Sequence, residues 1–343
     1  MTPITSNKNN RNKTRNIEFD ILKLFAIILV LWGHAIMHLT GPDYRSDGVF
    51  TLIYSFHMPL FMMVSGFFAH SSLQLPFKEL VTKKFWQLIY PCISFGILFF
   101  LVELIFFNLS PSKISSYLIE CFWFLKSCFL SYLILYLCLK LTRNSQVWGA
   151  LLAIIISQAV PVFKITWMLP FFTIGFLLYN NFGFIKRNAL IITLASLPLF
   201  CIVYWFYVSQ PSVDLNALKS QILNGNVAFM QEYFNYQIIR IVVGFAGSAT
   251  VFCGILCLSK YFVKSSFWNK ISVLGRQTLG IYILQTLILE SVLPKTIDLT
   301  SFNSYVLNYL FVPLISLVVL LVSVWILNLI KRSHRLQKLL WGK

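Results

Sequence analysis

Residues 15–39 have the sequence RNIEFDILKLFAIILVLWGHAIMHL, which is apolar enough and long enough to cross a membrane as one helix. This stretch nevertheless carries Lys23 near one end and His34 well inside. Eleven positions at about 100° per residue place both side chains on one helix face, roughly 16 Å apart along the axis. Because ionisable groups are costly to keep inside a membrane, this face is a candidate functional site.

The rest of the chain has the same apolar character. The 343 residues are 58% hydrophobic and 11% charged, whereas an ordinary soluble domain carries about 25% charged residues. The sequence therefore predicts an all-α, polytopic integral membrane protein with no soluble domain of usual size. About ten apolar segments qualify as spans: 19–39, 49–70, 85–107, 117–139, 147–163, 166–179, 189–209, 237–259, 272–293 and 304–330.

The basic residues of the loops give the expected orientation. With ten spans and an internal N-terminus, 19 Lys and Arg residues lie on the inner side and 5 on the outer side. This bias predicts that both termini are cytoplasmic. It also attributes the net charge of +17 to topology and to attraction for lipid headgroups, and not to nucleic acid. We divide the chain into a cytoplasmic polar tail (1–16), one transmembrane domain (17–330) and a cytoplasmic basic tail (331–343).

Two histidines are the first candidates for catalysis. His34 and His57 lie at similar depth in the outer half of the first two spans, so they are placed to line one cavity. A histidine can take a proton from a hydroxyl near neutral pH and return it, as acyl transfer to a sugar hydroxyl requires. A structural role stays open for both, because polar side chains also join membrane helices by hydrogen bonds.

Several cations lie where two substrates would enter. Lys23, Lys84 and Arg276 are near the cytoplasmic side, where they would meet a phosphate-rich donor. Lys126 is expected near the middle of the fourth span, and Arg240 at the outer start of the eighth, facing an outer acceptor or a carboxylate such as that of Glu103. Lys23 has an alternative reading, since a lysine this close to a span end also snorkels to the interface.

The remaining polar groups indicate less. Glu103, Glu120 and Glu290 fall near the outer ends of spans, where an interfacial position is the ordinary expectation. None of the seven cysteines forms a Cys-x-x-Cys pair, and we expect no metal site. The long connection at residues 210–236 is expected outside, where it would cap an external cleft.

Five motifs together resemble the acyltransferase-3 family of bacterial membrane O-acyltransferases. They are FDILK (19–23) with His34 eleven positions after its lysine, FHMPLF (56–61) running to SGFF (65–68), KKFWQLIYP (83–91), WFL (123–125) and LGRQTLGIY (274–282). The second is typical of the fucose-acetylase-like branch. Gln87 stands where the family often has a second arginine, and Gln285 where it usually has a histidine.

The resemblance implies an O-acetyltransferase of the bacterial inner membrane. Its members move an acetyl group, usually from cytoplasmic acetyl-CoA, to a sugar of a surface polysaccharide or its lipid-linked precursor, and the first-span histidine is expected to be essential. With this resemblance we assign His34, Lys23 and His57 to catalysis. Lys84 and Arg276 are assigned to the donor because of their place near the cytoplasmic side. Arg240, Trp123 and Lys126 are assigned to the acceptor.

A transporter or flippase for a lipid-linked sugar is the alternative from another class. Such folds usually show paired repeats and broken helices near the membrane midplane. The sequence shows no internal repeat, and its Gly and Pro residues do not cluster at matching positions in two halves.

Overall fold

The computed structural model describes residues 16–160, 162–209, 224, 226–262, 265–297, 299 and 306–342. Across these residues the chain is helical, without a strand. The main helices are α1 (Ile17–Leu39), α2 (Gly48–Phe67), α3 (Phe77–Phe106), α4 (Trp123–Leu141), α5 (Gln146–Gln158), α6 (Ile165–Leu178), α7 (Ala189–Ser209), α8 (Val227–Phe262), α9 (Ser266–Gly275), α10 (Thr278–Thr296), α11 (Leu307–Arg332) and α12 (His334–Trp341). The connections contain short helical turns at Tyr44–Ser46, His70–Leu73, Pro111–Lys113, Ile114–Glu120 and Phe182–Arg187.

The lengths of these helices confirm an all-α, polytopic membrane protein. Within the described ranges, seven helices are long and apolar enough to cross a membrane. The pair α9 and α10, bent by 55° at the break between them and called the bent span below, makes an eighth if both helices count as one crossing. The apolar helices α5 and α6 have only 13 and 14 residues, fewer than the roughly 20 that a full crossing needs. The count of ten crossings and the cytoplasmic termini stay predictions. We call the end of the bundle at which α1 begins the inner end and the opposite end the outer end.

Helix α1 lies at the centre of the bundle. It packs against α2, α8, α9, α10 and α11. In its most apolar stretch of 18 residues 67% of the residues are buried, against 6% in that of the peripheral helix α7. The break between α9 and α10 presses on α1, because a Cβ atom on Gly275 would lie 1.8 Å from the carbonyl oxygen of Asp20. Only glycine fits there, so this contact fixes the position of the bent span against α1.

A second close crossing joins α2 and α6. A Cβ atom on Gly66 would lie 1.9 Å from the carbonyl oxygen of Phe172, and one on Gly175 would lie 1.9 Å from that of Met63. The two backbones therefore touch, as small residues allow at helix interfaces in membranes. This crossing sets where α6 begins, which is at the outer end of the bundle.

We expect Gly66→Ala to destabilise the fold without touching the chemistry. The new methyl group must push the two helices apart, and overpacking of this kind costs about 2 kcal/mol. Unfolding of the purified protein in a mild detergent measures the effect. Gly254→Ala is the matched control, because the nearest atom to its Cβ position is Thr193 Cγ2 at 3.9 Å. Equal loss of stability in both variants would contradict the crossing.

The structure corrects two sequence expectations and adds detail to a third. The fourth predicted span begins later than expected: α4 starts at Trp123, so Lys126 sits in its first turn and not near its middle. The basic tail contains α12, which docks on α3 where Ser94 Oγ donates a 2.7 Å hydrogen bond to the Leu340 carbonyl oxygen. The end of the predicted outer loop belongs to α8 from Val227 onward. Residues 210–223 of that loop and residues 1–15 of the N-terminal tail lie outside the described residues.

Candidate active site

His34 lies beside a carboxylate that sequence reasoning had placed at the interface. Its Nδ1 atom is 2.9 Å from Oε1 of Glu290 in an ion-pair contact that lies outside hydrogen-bond angles, and both side chains are partly exposed. Glu290 sits in a π-helical turn of α10, Thr286–Val292. Such a turn adds a residue to the helix and turns the following side chains away from their α-helical direction. The interfacial expectation for Glu290 did not include this contact with His34, and no α-helical periodicity would have revealed the pair.

The pair is suited to proton transfer. A carboxylate next to Nδ1 keeps the Nδ1–H tautomer, orients the ring and stabilises the imidazolium that forms when the ring takes a proton. Nε2 of His34 is then the nitrogen that acts on a substrate hydroxyl.

His57 is held differently. Its Nδ1 donates a 2.7 Å hydrogen bond to the carbonyl oxygen of Ile53, one turn earlier on α2, and the residue is only 1% exposed. The ring of Tyr54 stands between the two histidines, with its centroid 4.7 Å from that of His57 and 6.5 Å from that of His34. A bond to its own helix supports a structural task for His57, and its catalytic role stays a prediction.

A cavity of about 300 Å³ opens in the inner half of the bundle, a volume in the range of small-molecule sites. Lys23 and Lys84 both line it, and the remaining lining is mainly apolar. The ammonium of Lys84 lies 3.9 Å from the ring centroid of Tyr132, and that of Lys23 lies 4.5 Å from the ring of Phe68. The cavity extends along α1 to Val30, one helical turn before His34.

Arg276 lies outside that lining. Its Nε is 3.4 Å from Oδ2 of Asp20, and this ion pair links the break between α9 and α10 to α1. The Arg276 side chain is 43% exposed at the inner end. Its assignment to donor binding stays a prediction, now beside a structural contact that the sequence did not indicate.

The outer end brings two cations onto two tryptophans. The Lys164 ammonium lies 3.9 Å from the ring centroid of Trp123, and the Arg240 guanidinium carbon lies 3.7 Å from that of Trp167. Arg240 does not meet Glu103, as one expectation had it, because Glu103 pairs with Lys295. Trp123 and Arg240 thus share one end of the bundle with the His34–Glu290 pair, and Lys164 joins them.

Lys164 is one of the five basic residues that the predicted topology places on the outer side. Phe163 and Lys164 both have left-handed backbone conformations, with φ of 48° and 60°, directly before α6. Two successive non-glycine residues in this region are strained by about 1–3 kcal/mol each, which is typical of functional positions. The tip of Lys164 reaches solvent, but the protein packed around the rest of the side chain displaces water from it. This partial desolvation, followed by the nearby Arg240, lowers the pKa of Lys164 to about 8, while Glu290 acts in the opposite direction.

Lys126 is occupied by backbone. Its ammonium donates hydrogen bonds to the carbonyl oxygens of Leu118 (2.6 Å), Ile119 (2.9 Å) and Cys121. These carbonyls end the short helix Ile114–Glu120, so Lys126 caps that helix. Its assignment to the acceptor stays a prediction that these contacts do not support.

One group among the described residues has the ligand types of a metal site. Ring nitrogens of His34 and His38 and a carboxylate oxygen of Glu290 lie within 4.8 Å of one another. The His34 and His38 rings are stacked, with centroids 5.9 Å apart. The same three groups are what a histidine base with an orienting carboxylate needs, and the expectation of a metal-free site stays a prediction.

Comparison with known proteins decides the family. A family profile described as an acyltransferase domain matches residues 16–328, nearly the whole chain. The chain belongs to this acyltransferase family. The resemblance drawn from the five motifs is confirmed.

Two curated relatives of this acyltransferase-family chain have modest sequence identity to it. It is 28% identical over 186 residues to nodulation protein NolL of Mesorhizobium japonicum, covering 49% of each chain. It is 32% identical over 180 residues to nodulation protein NolL of Sinorhizobium fredii, covering 48% of each chain. The chain thus aligns with about half the length of these relatives. No solved structure matches it.

Two of the motifs shared with the acyltransferase family have structural explanations here. Gly66 of SGFF makes the backbone contact between α2 and α6, and Gly275 of LGRQTLGIY makes the contact between the bent span and α1. Both glycines fix helices that carry site residues. Lys164 and Glu290 lie outside the motifs that carried the resemblance, and only the folded chain brings them to the site.

Proposed function

We propose that this protein is a membrane O-acetyltransferase. It moves an acetyl group from cytoplasmic acetyl-CoA to a sugar hydroxyl of a surface polysaccharide (O-antigen, capsule or exopolysaccharide) or of its lipid-linked precursor, in the bacterial cytoplasmic membrane. The observation that carries the proposal is the His34–Glu290 pair, one helical turn beyond a cavity that holds Lys23 and Lys84. Family membership supports an enzyme over the transporter alternative.

The reaction follows from the positions of these groups. Nε2 of His34 takes the proton from the acceptor hydroxyl as its oxygen bonds to the carbonyl carbon of the thioester. The bond from that carbon to sulfur then breaks, and His34 returns its proton to the departing thiolate. Glu290 stabilises the imidazolium between these steps and holds the ring in place.

The donor side rests on charge and shape. Coenzyme A carries phosphates that bind to cations, and its flexible arm fits between apolar walls. Lys23 and Lys84 are the cations of the inner cavity. The phosphates are therefore assigned to the inner end and the thioester to the end of the cavity near Val30, with the acceptor approaching from the outer end.

A deletion strain tests the function. Proton NMR of its surface polysaccharide should lose acetyl signals, and the wild-type gene should restore them. Membranes holding the protein should also transfer label from acetyl-labelled acetyl-CoA to glycan. Unchanged acetyl signals together with no binding of acetyl-CoA to the purified protein would contradict the proposal and return the transporter alternative.

Lys84→Gln should weaken donor binding more than catalysis. Removing one charge-assisted contact to a phosphate costs about 1.5–3 kcal/mol, so we expect the KM for acetyl-CoA to rise at least about tenfold, with a smaller change in kcat. Lys84→Arg should keep part of the affinity. Lys78→Gln, an exposed lysine of the same helix, is the matched control. A fall in kcat at unchanged KM would exclude the donor role.

A further inference from the structure

Two cations of the outer end have aromatic partners but no counterion. Lys164 rests on Trp123 and Arg240 on Trp167, and within the described ranges neither pairs with a carboxylate. Nε of Arg240 is fully buried and has no hydrogen-bond partner there. A cation–π contact holds a cation in place, but it does not neutralise the charge.

The other cations near this end are used differently. The ammonium of Lys295 pairs with Glu103, and that of Lys126 caps a helix by donating to three carbonyl oxygens. These lysines have structural tasks that account for their charge. Among the described residues, Lys164 and Arg240 have no carboxylate or helix-capping partner of this kind, although two cations brought together in a partly buried place are unfavourable without an anion beside them.

Helix termini add to the positive potential. α6 begins directly after Lys164 and α4 begins at Trp123, and neither N-terminus has a side-chain cap. Free backbone N–H groups and the helix dipole favour an anion at such an end. Phe163 and Lys164, both in left-handed backbone conformations, place the lysine directly before the α6 N-terminus.

The site opens beside the catalytic pair. Lys164 is solvent-exposed, and it lies near enough to Glu290 and Arg240 for their charges to act on it. Glu290 is itself engaged with His34, at 2.9 Å. On the α6 helix, Trp167, which contacts Arg240, follows Lys164 by one turn, so the two cations lie together at the end from which we expect the acceptor to approach.

We propose that the acceptor glycan carries an anionic group, which Lys164 and Arg240 bind while a neighbouring hydroxyl is presented to His34. This inference rests on the proposed function, since it names the class of acceptor. A sugar carboxylate and a phosphate that links the glycan to its lipid share this chemistry, and both form charge-assisted hydrogen bonds with Lys and Arg. Lys164 and Arg240 thereby select the acceptor by its charge.

Direct binding tests the inference without turnover. Purified protein in an uncharged detergent is titrated with methyl glucuronide, with glucose 1-phosphate and with the neutral methyl glucoside. We expect at least one anionic sugar to bind about tenfold more tightly than the neutral one, because one charge-assisted hydrogen bond contributes about that much to affinity. Lys164→Gln and Arg240→Gln should each remove that advantage.

Control variants separate charge from folding. Lys164→Arg and Arg240→Lys keep the charge and should keep most of the preference. Lys113→Gln, at an exposed lysine of the predicted outer side, should leave it unchanged. Preference for glucuronide alone assigns the site to a sugar carboxylate, and preference for the phosphate alone assigns it to a phosphate-linked glycan.

Three results would overturn the inference. The first is equal affinity for charged and neutral sugars, and the second is an anion preference that survives both Gln variants. The third is loss of sugar binding when phosphatidylglycerol is added to phosphatidylcholine nanodiscs that hold the protein, because the site would then bind a lipid headgroup. Failure of the proposed function looks different. If the proposed function is wrong, the wild-type protein still prefers anionic sugars but transfers no acetyl group. If only the inference is wrong, the protein transfers acetyl groups to charged and neutral acceptors alike.

Discussion

His34→Ala is expected to lower the rate of acetyl transfer by about 10³-fold, within the range that a positioned general base contributes. The variant removes the imidazole, whose proton affinity near neutral pH suits it to take the hydroxyl proton and return it to the thiolate. Binding of acetyl-CoA should change little, because His34 does not line the inner cavity. Label transfer in isolated membranes measures the rate, and titration of the purified protein with acetyl-CoA measures the binding.

His70→Ala is the matched control for that variant. His70 stacks on Tyr179, with ring centroids 4.4 Å apart, and lies at the opposite end of α2 from the pair. The His70→Ala variant should insert, fold and transfer acetyl groups as the wild type does. An active His34→Ala variant would move the base elsewhere, and His57→Ala would be the next variant to measure.

Glu290→Gln should lower kcat by about 10²-fold with little change in the KM of either substrate. The amide keeps the shape of the side chain but loses the charge that stabilises the imidazolium, and it allows the wrong ring tautomer. Glu290 acts through His34, so it is a positioning residue. Its signature is a loss confined to kcat, since it has no assigned contact with the donor.

Two further variants make that expectation sharp. Glu290→Asp should restore part of the rate, because it keeps the charge on a shorter side chain. Glu120→Gln, at an exposed glutamate near the outer end, should leave the rate unchanged. A rise in the acceptor KM with kcat intact would instead make Glu290 a binding residue.

The fold class and half of the site follow from sequence because they depend on local properties. Long apolar runs predict membrane helices whatever surrounds them. The shared face of Lys23 and His34 needs only that α1 be a regular helix, which it is from Ile17 to Leu39. The cavity that Lys23 shares with Lys84 agrees with their expected place on the donor side.

The other half depends on departures from regular structure that local pattern does not reveal. Glu290 reaches His34 through a π-helical turn, and Lys164 reaches Trp123 after two left-handed residues. The later start of α4 follows a left-handed residue too, Phe122, with φ of 54°. These conformations are unfavourable in isolation and persist because tertiary packing holds them. Sequence periodicity assumes their absence.

The central helix α1 also sets the distance between two residues of the site. Eleven residues of rigid α1 fix the distance from Lys23 to His34 at roughly 16 Å. A thioester donor whose phosphates sit at Lys23 must therefore have an arm of about that length to bring its carbonyl carbon to the imidazole. Inserting one residue between the two would turn His34 by about 100° around the axis and away from Glu290. The length of the donor's arm and the position of His34 along α1 therefore have to match.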